Sequence, residues 1–116
     1  NMNFFENFRK LNIQRANRWH KNGLQEWSIF EGGGAAGGEM GELLNELKKI
    51  RRMELGIQQT NAAADREAQL VKVKKELGDV LVYLDILSFQ CGFTFEEAIR
   101  TAFNQISDRE GFPEKV

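Results

Sequence analysis

The sequence predicts an all-α, four-helix-bundle-like domain, and three observations predict it. Apolar residues recur at three- and four-residue spacing through long segments. The one proline, Pro113, lies close to the C-terminal end, so nothing of its kind breaks the interior of those segments. No stretch alternates apolar and polar residues over a useful strand length.

The first helix is expected from about Asn3 to Lys21, with Phe4, Phe8, Leu11 and Arg15 on one face and Phe5, Ala16 and Trp19 nearby; Asn22-Gly23 supplies its stop. Leu24 to Phe30 reads as a connector carrying Trp27. Five glycines then fall between Glu31 and Gly38. Each costs a helix about 1 kcal/mol against alanine, so either the second helix starts late, at Glu39, or packing forces the glycines into it. A phosphate-cradling loop is disfavoured, because no Gly-Lys-Ser/Thr follows. The second helix is expected to about Glu54, with a polar loop over Gly56 to Asp65. The third runs from about Arg66 to Gln90, and Gly92 stands where a C-terminal cap belongs. Thr94-Phe-Glu-Glu97 is a capping-box signature that opens the fourth helix, which ends near Arg109, before Gly111 and Pro113.

At 116 residues the chain fits one domain, expected over 2–113, with Asn1 ahead of Met2 reading as an expression remnant. Sixteen basic and 17 acidic residues argue against a broad nucleic-acid-binding surface. No apolar run approaches the roughly 20 residues of a membrane span. A lone cysteine, Cys91, cannot form an internal disulfide, which fits a cytoplasmic location; simple packing is the role expected for it.

Charge placement carries more information. Glu39-x-x-Glu42 and Glu76-x-x-Asp79 have helical spacing and border the apolar stripes of their helices. With ~100° per residue and Glu39 at zero, Glu42 lies near −60° and Glu46 near −20°, while Met40, Leu43, Leu44, Leu47 and Ile50 fill about +20° to +140°. With Glu76 at zero, Asp79 lies near −60° and Tyr83 near −20°, and Leu70, Val73, Leu77, Val80, Leu81, Leu84 and Leu87 cover the same positive arc. Val82, Ile86 and Phe89 form a second apolar strip on the third helix, which predicts a subunit interface and a homo-oligomer, dimer or tetramer. Asp85, about 180° from Glu76, is expected in an intersubunit salt bridge.

Acids at the edge of a core need positive partners. Carboxylates without converging histidine or cysteine favour a hard divalent ion, Mg²⁺ or Mn²⁺. A di-iron bundle would need Glu-x-x-His pairs, and an EF-hand its Asp-rich loop. The competing reading makes these acids salt-bridge partners of Lys48, Lys49, Lys74 or Lys75.

The stretches Gly38-Glu-Met-Gly-Glu-Leu-Leu-Asn-Glu-Leu-Lys-Lys49 and Lys75-Glu-Leu-Gly-Asp-Val-Leu-Val-Tyr-Leu-Asp85 resemble the MazG-like all-α nucleoside triphosphate pyrophosphatases, whose pattern is Glu-Glu-x-x-Glu, a spacer, then Glu-x-x-Asp. The likeness extends through Ala16-Asn-Arg-Trp-His20, Glu26-Trp-Ser28 and Phe103-Asn-Gln-Ile-Ser-Asp-Arg-Glu-Gly-Phe-Pro113. The resemblance implies Mg²⁺-dependent hydrolysis of a nucleotide between its α- and β-phosphates, with Glu39, Glu42, Glu76 and Asp79 as metal ligands. Glu46 is a candidate outer ligand or water-orienting base, or simply a partner of Lys49 or Arg52. Asn104, Arg109 and Lys48 or Lys49 are candidates for the phosphates. Trp27, Tyr83 and, less directly, Trp19 or His20 are candidates for the base; core packing is favoured for Trp19, and a capping or surface role is an equal alternative for His20. The sequence departs from the family pattern twice: Gly38 replaces the first glutamate, and 33 residues separate Glu42 from Glu76, a long spacer. Two other functions compete, a non-catalytic helical interaction module and a phosphoribosyl-nucleotide pyrophosphohydrolase.

Overall fold

The structure, a computed structural model, describes residues 1–57 and 62–116. Among the described residues there are four α-helices and no strand: α1 (Phe4–Trp19), α2 (Ile29–Glu54), α3 (Ala62–Cys91) and α4 (Phe95–Glu110), with a short 3₁₀ turn at Leu24–Glu26. No single helix among them is long and apolar enough to cross a membrane.

Local chemistry sets the helix ends. Asn3 caps α1 by accepting a hydrogen bond from the Glu6 amide. Thr94 and Glu97 form both halves of the expected capping box on α4, and Gly111 closes that helix in the left-handed conformation, φ 74°. Gly92 turns the chain after α3 at φ 90°. Its companion helix axes, residues 65–91 and 95–110, meet at 92°.

Two boundaries differ from expectation. Helix α2 begins ten residues before Glu39, and the glycine run is helical. Ser28 caps it, its Oγ accepting from the Glu31 amide at 3.1 Å, and burial of Gly32 and Ala36 against α3 holds the run in place. Only Gly32 has a steric reason: a Cβ there would meet Gln90 Oε1, whose amide nitrogen bonds the Trp27 and Ser28 carbonyls. Nothing in the structure explains Gly33, Gly34, Gly37, Gly38 or Gly41. Helix α3 begins at Ala62, inside the expected polar loop, of which residues 58–61 lie outside the described residues.

The dominant packing is the antiparallel pair α2–α3; α1 lies across α3, and α4 meets α3 at its C-terminal end. A single chain therefore does not close its four helices about one core. Its radius of gyration is 17.9 Å, against about 13 Å for a compact domain of this length.

The two apolar strips on α3 are covered differently from expectation, although Val80 of the leucine arc is buried as expected. Ile86 is buried and Val82 packs beside it, both against α1 through Ala16 and Ile13, together with Leu24 of the 3₁₀ turn. Those two residues are covered within the chain, whereas Phe89 of the same strip stays exposed, with the Arg9 guanidinium 5.8 Å from its ring centroid. Leu70, Leu77, Leu81 and Leu84 instead remain exposed, alongside Met40, Leu44 and Leu47 of α2.

The buried side of α1 differs too. Asn12 and Ala16 face α3, while Phe4, Leu11 and Arg15 point outward. Trp19 is 65 % exposed, with the Arg15 guanidinium 5.4 Å from its ring centroid, so it is not a core residue. Cys91 is exposed, contrary to the packing role expected of it.

Candidate metal centre

The antiparallel pairing of α2 and α3 brings their matching angular layouts face to face. Leu43 and Ile50 of α2 and Val80 of α3 are buried, and the acids bordering that seam meet at its edge. One carboxylate oxygen from each of Glu39, Glu42 and Glu76 lies within 4.8 Å of the others. Glu42 is exposed, while Glu39 and Glu76 are half-buried.

The electrostatics of this cluster are unbalanced. Glu39 Oε2 and Glu76 Oε2 are buried and have no hydrogen-bond partner among the described residues, a costly condition for a carboxylate oxygen. Burial, together with the charges of Glu42, Asp79 and Glu76, raises the Glu39 carboxyl above its ordinary value, opposed by the weaker influence of Lys75. Oxygen-only donors, crowded and short of positive charge, fit a hard divalent cation.

Asp79 stands beside the three rather than among them. Lys75 Nζ is 2.7 Å from Asp79 Oδ2 and 3.7 Å from Glu76 Oε1. Its hydrogen bond to Asp79 and the charges of Asp79 and Glu76 raise the Lys75 ammonium above its usual value. Of the lysines the competing reading named, Lys75 pairs with these acids, but on the surface: the ammonium side chain is 68 % exposed. Such a pair is held weakly, and it leaves both orphaned oxygens without a hydrogen bond.

Glu46, one turn beyond Glu42, is engaged elsewhere. Gln69 Nε2 donates to its side chain at 2.5 Å and to its carbonyl at 3.0 Å, and Lys49 Nζ lies 3.1 Å away. The Gln69 and Lys49 hydrogen bonds lower its carboxyl below the ordinary value. Gln69 is buried and reaches across from α3, and as a neutral side chain it carries no charge signal in the sequence.

An aromatic ladder adjoins Asp79 along α3. Tyr83, one turn on, stacks with Trp27, ring centroids 6.2 Å apart, and His20 meets the other ring of that pair edge-on at 4.9 Å. His20 is the C-cap residue of α1, its Nδ1 3.6 Å from Glu26. These three come from α1, the connector and α3. The candidate phosphate contacts on α4 are not brought to the cluster within one chain, since α4 packs on the end of α3 and not on α2. Asn104 instead holds the backbone of Val116 through two hydrogen bonds of 2.9 Å, and Arg109 bonds Glu110.

Residues 35–111, more than half of the chain, match the family model described as MazG nucleotide pyrophosphohydrolase domain, and the chain belongs to that family. The match takes in α2 from its second turn, α3 and α4, and leaves α1 and Trp27 outside. No curated protein and no solved structure matches the chain.

Proposed function

We propose that this member of the MazG nucleotide pyrophosphohydrolase family is a Mg²⁺-dependent nucleoside triphosphate pyrophosphohydrolase, with Mn²⁺ able to substitute. Water adds to the α–β phosphoanhydride, the bridging P–O bond breaks, and nucleoside monophosphate and pyrophosphate leave. The observation that carries the reading is the convergence of Glu39, Glu42 and Glu76 with two buried carboxylate oxygens that have no partner among the described residues.

Glu39, Glu42 and Glu76 would hold the cation, with Asp79 joining once Lys75 swings away. When bound, it neutralises phosphate charge and makes water a better nucleophile at neutral pH. The remaining work is positioning, which phosphoryl transfer chiefly needs. Glu46 stays ionised, fixed by Gln69 and Lys49, and accepts a hydrogen bond from water at the cluster's edge. Lys49, its partner, offers positive charge toward the phosphates. Trp27 and Tyr83, with His20, give the base an aromatic surface one turn from Asp79.

The active form is a homo-oligomer. The chain exposes 8418 Å², about 2,000 Å² more than a compact monomer of its 13.3 kDa mass, and obligate interfaces bury areas of that order. The leucine face of α2 and α3 is the surface to be covered. Because α4 does not reach α2 in one chain, phosphate contacts by Asn104 and Arg109 require α4 of another copy.

The test is a panel of standard, methylated and deaminated nucleoside triphosphates scored separately for pyrophosphate and orthophosphate, with and without Mg²⁺. Mg²⁺-dependent pyrophosphate is the expected product. The same panel with a phosphoribosyl-nucleotide decides the biosynthetic alternative. The surface pairing of Lys75 with Asp79 and Glu76 favours the interaction-module alternative, which predicts no release from any substrate and no effect of Mg²⁺.

A further inference from the structure

We infer that Arg9, Asn12 and Asp85 are positioning residues: their buried network fixes α1, and with it the His20–Trp27 pair, against the turn of α3 that carries Tyr83. The inference rests on the reading of that aromatic ladder as the base-binding surface.

Asp85 is 1 % exposed. Its carboxylate accepts hydrogen bonds from Arg9 Nε at 2.8 Å and from Asn12 Nδ2 at 3.1 Å, both within the chain and not across a subunit interface as its position on α3 suggested. Arg9 continues to the Phe93 carbonyl at 3.0 Å, next to the Thr94 cap of α4. Asn12 Nδ2 also donates to the Val82 carbonyl at 3.0 Å. That carbonyl belongs to the peptide bond leading into Tyr83, so Asn12 grips the backbone of the stacking residue itself.

The need for such a grip follows from the rest of the α1–α3 contact. Where the two helices touch, it is made by small or branched apolar groups, Ile13 and Ala16 with Val82 and Ile86, and Leu24, Trp27 and Tyr83 pack on the same cluster. Apolar contact is non-directional and tolerates sliding along the helix axis. Hydrogen bonds to a buried carboxylate are directional and fix one register. A buried ion pair adds little net stability over apolar groups of similar volume, so register is what this network contributes. None of its hydrogen bonds reaches Glu39, Glu42, Glu76 or Asp79, so the cation site can stay intact when the network is lost.

The experiment uses the full chain in a W19F background, which leaves Trp27 the sole tryptophan, and compares D85N and the double variant R9M with D85L. Acrylamide quenching of Trp27 is expected to rise at least ~2-fold as the ladder loosens, and KM for nucleotide to rise about tenfold with kcat within ~3-fold. The Mg²⁺ concentration that half-saturates the thermal shift is expected to stay within ~2-fold of the parent value. Unchanged quenching in a variant of parental helicity overturns the inference. So does a parallel loss of Mg²⁺ affinity, or failure of both variants to fold, since either makes the network a general element of stability. The quenching arm needs no turnover: a parent protein that releases no pyrophosphate defeats the functional reading while Trp27 still reports on the network.

Discussion

Glu39 on α2 and Glu76 on α3 each bury one carboxylate oxygen, Oε2, that no hydrogen bond among the described residues satisfies. The two helices thus meet with uncompensated negative charge at the edge of their most extensive contact. In the metal-free protein, neutralising one of these acids relieves repulsion. E39Q is expected to melt about 2–5 °C above the parent without divalent ions, the size of a change near 1 kcal/mol in a domain this small, and to lose most of the stabilisation by Mg²⁺. Paired melts with chelator and with Mg²⁺ check both parts.

The raised Glu39 carboxyl gives that stabilisation a pH dependence. An acid whose folded pKa lies above its unfolded value binds its proton more tightly when folded. Metal-free stability from this group therefore falls as pH rises from 4.5, its ordinary value, through the raised one. Cation binding needs the carboxylate and runs the other way. The Mg²⁺-induced shift in Tm is expected to be small near pH 4.5 and to grow as pH rises through the raised value. A shift independent of pH over that range would contradict a site built on Glu39.

The leucine face makes a separate prediction. Leu81→Glu or Leu47→Glu places a charge in the exposed stripe shared by α2 and α3. Light scattering coupled to size exclusion at about 10 µM is expected to show the parent as a dimer or tetramer and each variant as a monomer. Val82→Glu is expected to unfold the α1 contact instead, because Val82 packs inside the chain.

The glycines of α2 divide into two kinds. Gly34→Ala adds a Cβ that meets nothing and is expected to stabilise the helix by about 0.5–1 kcal/mol. Gly32→Ala displaces the Gln90 amide, which bonds the Trp27 and Ser28 carbonyls, and is expected to leave the protein about 1–3 kcal/mol less stable than Gly34→Ala. Denaturant unfolding of the two variants measures the difference.

These cases show which parts of the molecule can be read from its residues. Thr94-x-x-Glu97 and Gly111 were legible because cap chemistry is local. The same signal marks the start of α2, where Ser28 is followed three residues later by Glu31. A residue-by-residue count of glycine cost outweighs that signal unless the burial of Gly32 and Ala36 is known. The angular arcs of Glu39, Glu42 and Glu76 were legible because helical geometry is regular, and these side chains lie together. Which neighbour covers each apolar strip was not. Val82 and Ile86 look like a spare surface until α1 is laid on them, and Asp85 looks like half of an intersubunit salt bridge until Arg9, 76 residues away in the same chain, reaches it.

In the proposed function, the carboxylates of α2 and α3 together hold the cation that nucleotide pyrophosphohydrolysis requires. The most direct test is the rate of pyrophosphate release at saturating Mg²⁺ by E42Q and E76Q, one variant from each helix, with circular dichroism confirming the fold. Both rates are expected to fall at least ~100-fold. Turnover within ~2-fold of the parent in both variants would mean that these carboxylates do not hold a cation the reaction needs.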